Sequence, residues 1–288
     1  MSWLGDSAAL AVLSFDVDAE SPILAQGRRY ADHAMVMTHQ AYGPQVGVPR
    51  LLGLLDEFAI KATFFVPGLT ADRYPETVER ILAAGHEVGH HSYSHRSPVD
   101  LGEAGEREDF ERALAALDRL GVKPKGHRSA LWEASWDTPS LVAEYGLEYD
   151  STLMDDDKPY LLETPAHGTI AELPPHWSLD DWEQYAYLPR PPIGVNIESP
   201  AKVLDLWTNE LDAMRRHGCL FMLTNHPFLS GRPGRVETLR TLVEHALGRG
   251  DVEFVTAAEV AARVREDPQA TKRRLRPVVA DAAIYPDL

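Results

Sequence analysis

The stretch "GHEVGHHSYSH", residues 85–95, holds four histidines: His86, His90, His91 and His95. Neutral imidazole is a good ligand for zinc and its first-row neighbours. His91 and His95 stand at i and i+4, a spacing that brings two side chains to one face of a helical turn, where they could grip one ion. His90 is adjacent to His91 and takes the opposite face of a strand, a packing or supporting place. His86 shares the parity of His90 at the start of that strand. A second candidate is "FDVDAE". Strand alternation sets Asp16 and Asp18 on one face, and paired carboxylates repel unless a cation or proton separates them. One Asp with two His gives three protein ligands and leaves a position for water, as in catalytic zinc sites. Two further segments end in polar groups: "GHRS", with Arg128, and "LTNHP", with His226.

These segments need a frame that brings their ends together. Short apolar runs alternate with helix-like segments along most of the chain. Strands are predicted at 10–18, 61–68, "HEVGHHS", "LEYDST", "CLFMLTNH" and "DVEFVT". Helices are predicted at 47–60, 75–85, 107–121, 199–217, 233–248 and 257–266. Pro at a helix start and Gly at its end punctuate 75–85. The alternation predicts an α/β fold, a parallel sheet covered by helices and long enough to close into a barrel. Function in such sheets gathers at the C-terminal ends of the strands. Residues 155–200 are rich in proline and aromatics and read as a long ordered loop region near the site. There Trp177 and Trp182 either line a pocket or pack, and Asp180 or Asp181 could support His226 or Arg128. Asp155 to Asp157 read as a solvated turn, and His33 and His39, in the insertion 21–46, as surface residues. Arg232 or Arg235 could meet an anionic substrate or a neighbouring subunit. One domain spans 1–288, with a core at about 10–260 and a surface tail at 267–288.

Composition narrows the partners. The 288 residues carry a formal charge of −16 and are 44% hydrophobic and 25% charged. An acidic surface repels phosphate backbones and anionic lipid, so neither nucleic acid nor a membrane is expected as partner. The lone Cys219 lies in an apolar run and calls for no oxidising compartment. The N-terminal apolar run has no basic flank and reads as a first strand, not a signal peptide, so a cytoplasmic location is expected.

Together the motifs resemble those of the polysaccharide deacetylases, carbohydrate esterase family 4 with its NodB homology domain, over roughly residues 10–260. The acidic pair is Asp16-Val17-Asp18, and the H-[ST]-x-x-H motif is His91-Ser92-Tyr93-Ser94-His95. Arg128 in "HRSALW" and His226 in "LTNHP" match the later motifs. The resemblance implies a distorted (β/α) barrel and a divalent metal, zinc first, with cobalt or nickel as alternatives. It implies Asp18, His91 and His95 as metal ligands, Asp16 as general base, Arg128 as its partner and His226 as general acid.

Three departures from the family pattern stand out. Val17 separates the aspartates, Thr224 stands in the late motif, and Ala130 and Trp132 replace the usual residues of the third motif. The departures are similar to a cytoplasmic branch with a Helicobacter-type peptidoglycan deacetylase and, more distantly, allantoinases and cyclic-imide hydrolases, often tetramers. Expected substrates are an N-acetylated sugar or a small amide, with a cyclic imide or allantoin-type amide as the alternative. Trp132, Trp177, Trp182 and Thr224 are expected to contact it. A non-catalytic binding protein that kept the fold is the reading from another class.

Overall fold

The computed structural model describes residues 2–281 and 284–285. Among the described residues twelve strands are formed: β1 (Ala9–Asp16), β2 (Thr63–Val66), β3 (Glu87–His90), β4 (Gly126–His127), β5 (Tyr149–Asp150), β6 (Tyr160–Thr164), β7 (Gly168–Glu172), β8 (Leu188–Pro189), β9 (Pro192–Ile193), β10 (Leu220–Asn225), β11 (Val252–Phe254) and β12 (Lys272–Arg273). Every residue of β1 is buried: Ala11, Leu13 and Phe15 pack in one apolar cluster that includes helix residues Leu51, Leu54 and Leu55, and Leu10 and Val12 pack in another with the strand residues Phe65, Tyr149 and Met222. The main sheet runs β10-β1-β2-β3-β4-β5-β7-β6-β12, with β11 beside β1. The pairs from β10 through β7 are all parallel. Along one edge of β1, β11 meets residues 9–11 and β2 meets residues 14–16. The far side of the sheet returns to β10 through a parallel bridge of Asp180 with Thr224. A bond from the Leu220 N–H to the Asp157 carbonyl, 3.1 Å, adds a second contact. Closure by isolated contacts makes this α/β fold a distorted (β/α) barrel.

The helices follow from spacing and punctuation. In Pro200–His217 the buried residues Val203, Trp207, Leu211 and Met214 form one stripe, with Pro at the start and Gly218 in the left-handed region at the end. Removing Leu211 down to Ala there would cost about 2–5 kcal/mol. Ala257–Glu266 opens with a capping box between Thr256 and Glu259. The segment expected to be helical at 107–121 is instead the later part of Pro98–Asp118, which breaks at Gly102 (φ 67°).

Two segments differ from the sequence reading. Residues 155–200 are not mainly loop: β6 and β7 pair antiparallel there, Asp181–Tyr185 is a helical turn, and β8 pairs with β9. A hairpin closed at Gly168 (φ 86°) is what allows β6 to turn back on β7. Within the tail, Lys272 and Arg273 form β12 against β6, and Arg273 pairs with Asp155 and Asp156. The aspartates of 155–157 are thus partly engaged rather than only solvated. Among the described residues no helix is long and apolar enough to cross a membrane.

Candidate active site

The site is assembled where β1, β3, β4 and β10 end. β1 stops at Asp16, so Asp16 and Asp18 do not share a strand face by simple alternation. Val17 donates its N–H to the Phe65 carbonyl at 2.8 Å, and the chain turns at Ala19 (φ 50°). The Asp18 carbonyl accepts from the Ser21 and Thr70 hydroxyls, which fixes the turn and leaves the Asp18 carboxylate facing inward.

Nor do His91 and His95 converge on a helical turn. Residues 91–95 form an irregular loop with Ser92 at φ 54° and His95 at φ 59°. The loop is pinned by Asp109, whose carboxylate accepts the N–H groups of Tyr93 (2.7 Å) and Ser94 (3.0 Å). It is pinned from the other side by Gly68 and Leu69, which donate to the Ser92 and Tyr93 carbonyls. A loop stabilised this way satisfies its backbone without helical bonds, and local spacing alone does not reveal it. Asp109 was not recognised from sequence.

His91 Nε2 lies 3.4 Å from Asp18 Oδ1 and His95 Nε2 lies 3.3 Å from Asp18 Oδ2. All three side chains are buried, and one ligand atom from each lies within 4.8 Å of the others. Neither Asp18 oxygen accepts a hydrogen bond of good geometry. His91 Nδ1 donates to the Arg128 carbonyl at 2.7 Å, since a carbonyl can only accept. Its Nε2 therefore carries a second proton or turns a lone pair on Asp16 and Asp18. Burial opposes charge on both groups, yet Asp16 and Asp18 raise the His91 imidazole and His95 and His91 lower the Asp18 carboxyl well below its ordinary range. Two imidazole nitrogens and an unsatisfied carboxylate, with one imidazole oriented from behind, fit a divalent cation.

Beside this trio, Arg128 Nη1 donates to Asp16 Oδ1 at 2.8 Å and to the Ser14 hydroxyl at 3.0 Å, and Nη2 donates to the Ser151 hydroxyl at 3.1 Å. The guanidinium is fully buried and stacks over Phe65. Across the site, His226 Nε2 lies 3.5 Å from Asp18 Oδ2, while its Nδ1 bonds Asp181 Oδ1 at 2.7 Å. The same oxygen accepts the His226 N–H, and Ser230 donates to the other oxygen. Burial opposes a charge on His226, but Asp180, Asp181 and Asp18 outweigh it and hold the imidazole well above its ordinary range. Asp180, Asp181 and His226 also cluster tightly enough for an ion. Their atoms are spent on each other, on Ser230 and on the Trp182 N–H, so this group reads as a proton-bearing relay.

Asp16, Asp18, His91, His95 and His226 line one cavity of about 250 Å³ together with Trp132, Trp177 and Trp182. Trp132 and Trp177 meet edge to face at 4.9 Å. Thr224 does not line it. That residue is fully buried on β10, its hydroxyl 3.3 Å from that of Ser14, because β10 ends at Asn225 and His226 has already left the alternating register. Arg232 and Arg235 lie over the rings of Tyr42 and Tyr185.

One network was missed in the sequence. His90 Nε2–H donates to the Phe110 carbonyl, and its Nδ1 accepts from the Ser92 N–H. His127 Nδ1–H must then donate to His90 Nδ1 (2.7 Å), which leaves His127 Nε2 to accept the Ser129 hydroxyl at 3.0 Å. Burial pushes His90 down to about 3 and His127 well below its ordinary value, so both rings are neutral as this chain of bonds requires. Ser129, a cavity-lining residue, is left with acceptor lone pairs only. Paired polar positions at strand ends carry no sequence signal for such a relay.

Comparison with known proteins places this geometry. The family model for polysaccharide deacetylase matches residues 31–149, which include His91, His95 and Arg128. A solved Mycobacterium smegmatis protein classed with the polysaccharide deacetylases is 48% identical, with 97% of this chain and 98% of that one covered and a TM-score of 0.93. The chain belongs to the polysaccharide deacetylase family. A second relative is the peptidoglycan deacetylase of Helicobacter pylori, 28% identical over 246 residues that cover 76% of this chain and 84% of that protein. Deacetylases of this family hydrolyse the C–N bond of an N-acetyl amide. A solved Puue allantoinase, 22% identical with a TM-score of 0.80 over 93% of each chain, shares the fold. Asp16 and Asp18 precede the polysaccharide deacetylase segment matched by the model and His226 follows it, yet the barrel brings all three to the same cavity.

Proposed function

We propose that this protein is a divalent-metal-dependent hydrolase that removes the acetyl group from an N-acetylated sugar. One observation carries the reading: the buried Asp18 carboxylate, without a well-formed hydrogen bond, lies 3.3–3.4 Å from His91 and His95, between an Arg-held Asp16 and an Asp-held His226. Asp18, His91 and His95 would hold the metal, zinc first on the two-nitrogen, one-oxygen donor set, with cobalt or nickel as alternatives. A divalent cation bound there polarises the amide carbonyl and acidifies water.

Asp16 takes a proton from the attacking water, and Arg128 keeps it oriented. His226, protonated and aimed by Asp181, gives its proton to the nitrogen as the C–N bond breaks. Trp132, Trp177 and Trp182 supply an apolar wall for the acetyl methyl, and they exclude water from it. The reading treats residues 1–288 as one catalytic domain. It places the enzyme in the cytoplasm as a homo-oligomer; the exposed Tyr187, Val195 and Ile197 around β8 and β9 supply apolar surface for a contact.

The test joins metal content and product. Purified protein and His91→Ala are measured for zinc, cobalt and nickel. The wild type is then assayed for acetate release from chito-oligosaccharides beside ring opening of succinimide. Metal in the wild type but not the variant, with acetate release, is the expected result. Equal, negligible metal in both, or imide opening alone, sinks the proposal.

A further inference from the structure

Among the described residues, Ser129 brings the one hydroxyl to the wall of the metal cavity. It follows Arg128, whose carbonyl accepts from His91 and whose guanidinium holds Asp16, so it stands at the edge of the reacting centre. Ser129 is 1% exposed, and both of its polar groups are fixed from behind. Its N–H donates to the Thr152 hydroxyl at 3.0 Å, and Thr152 donates in turn to Asp150. Its own hydroxyl meets His127 Nε2 at 3.0 Å.

The direction of that last bond is set outside the cavity. A carbonyl only accepts and a backbone N–H only donates. The Phe110 carbonyl therefore places the proton of neutral His90 on Nε2, and the Ser92 N–H meets the lone pair on Nδ1. His127 donates its Nδ1–H to the same lone pair across 2.7 Å, so its Nε2 takes the Ser129 proton. A serine hydroxyl ordinarily rotates to suit whichever partner arrives. Here the proton is spent, and Oγ has lone pairs left to offer.

An acetamide has one donor, its N–H. In the proposed reaction its carbonyl goes to the cation and its methyl to the tryptophan wall. The buried carboxylates of the cavity have other partners: Asp16 holds Arg128, Asp18 stands with His91 and His95, and Asp180 accepts the Trp182 N–H beside His226. A buried N–H left without an acceptor costs the full desolvation of that group. In a cavity of about 250 Å³, an acetamido group lies close to every wall.

We infer that Ser129 accepts the N–H of the scissile amide and selects secondary amides over esters, with His127 and His90 as positioning residues that hold its proton away. The inference rests on the deacetylase reading and narrows its substrate class. An ester sets an oxygen where the N–H would be, lone pair against lone pair, and a site built around an N–H rejects the analogue that lacks it.

Acetate release from N,N′-diacetylchitobiose and from 4-nitrophenyl acetate is compared for the metal-loaded enzyme, Ser129→Ala and Ser129→Cys. Cysteine nearly keeps the volume but is a weak acceptor, and circular dichroism checks the fold of both variants. Each variant should lower the amide-to-ester ratio of kcat/KM about tenfold, the loss of one hydrogen bond to a buried N–H. A residue that only shapes the site would move both substrates together, so an unchanged ratio in both variants overturns the inference. Binding keeps the two readings apart. Acetanilide and N-methylacetanilide, which lacks the N–H, are titrated against the same proteins, read by the fluorescence of the tryptophans lining the cavity. If no acetate is released but the wild type prefers acetanilide about tenfold and the variants lose that preference, the deacetylase reading fails and the Ser129 assignment stands. If no acetate is released and the preference is missing from the wild type or kept by the variants, the assignment is wrong too.

Discussion

Arg128 Nη1 donates to Asp16 Oδ1 at 2.8 Å, and Arg128 is fully buried. A buried guanidinium is tolerated only when its charge is met, and Asp16 meets it. Breaking such a pair from one side costs about 3–5 kcal/mol, because a lone charge stays buried. Arg128→Met should therefore lower the midpoint of urea unfolding, while Asp16→Asn should lower activity by about 10²–10⁴-fold with metal content retained. Loss of metal in Asp16→Asn would move that residue from base to ligand.

Asp18→Asn should lose metal with little loss of fold. The Asp18 carboxylate sits in a fixed turn but takes no well-formed hydrogen bond of its own, so an amide of the same shape keeps the packing and weakens the ligand. Metal analysis after dialysis, beside a thermal melt of the apo proteins, reads both effects. A variant that retains wild-type metal excludes Asp18 as ligand.

Asp181→Asn separates orientation from ligation. Asp181 reaches His226 by both the ring and the backbone N–H but is not among the Asp18, His91 and His95 trio. Activity should fall about 10²-fold or more as His226 loses its charge partner, with metal content unchanged. A fall in bound metal equal to that of Asp18→Asn would instead make the Asp180, Asp181 and His226 group a metal site.

A stability effect follows from Asp150 and Glu172, register partners on β5 and β7. Burial raises Asp150 to about 7 and Glu172 well above its ordinary value, and each carboxyl has one oxygen unpartnered. The folded state thus binds more protons than the unfolded chain between about 3.8 and about 7. Stability contributed by the neutral acid is present at low pH and is lost as pH rises through that window. Asp150→Asn, which can still accept from Thr152, should flatten the fall by roughly 1–3 kcal/mol between pH 5 and 8. Urea unfolding at the two pH values measures it; parallel losses in both proteins contradict the assignment.

Gly126→Ala should destabilise the barrel. A Cβ at Gly126 would meet the ring of the fully buried Tyr149 at 2.0 Å, and Tyr149 is held by Glu87. Overpacking of this kind costs about 1–3 kcal/mol, read as a lower Tm. Gly53→Ala, with nothing within 4 Å, is the control and should be neutral or better.

The sequence by itself determined the alternation of strands and helices, since the apolar periods and the Pro and Gly punctuation are local. It also marked the chemistry-bearing residues, since Asp, His and Arg at strand ends have few other reasons to be there. Tertiary structure decided how they meet. His91 and His95 converge on a loop pinned by Asp109, and Asp18 leaves the β1 register before it reaches them. Thr224, on the late strand, turned into the core because β10 ends one residue before His226. Hydrogen bonds between residues distant in the chain set these directions. The Ser129–His127–His90 relay was beyond the sequence for the same reason: it joins residues 37 apart that only the pairing of β3 with β4 sets side by side.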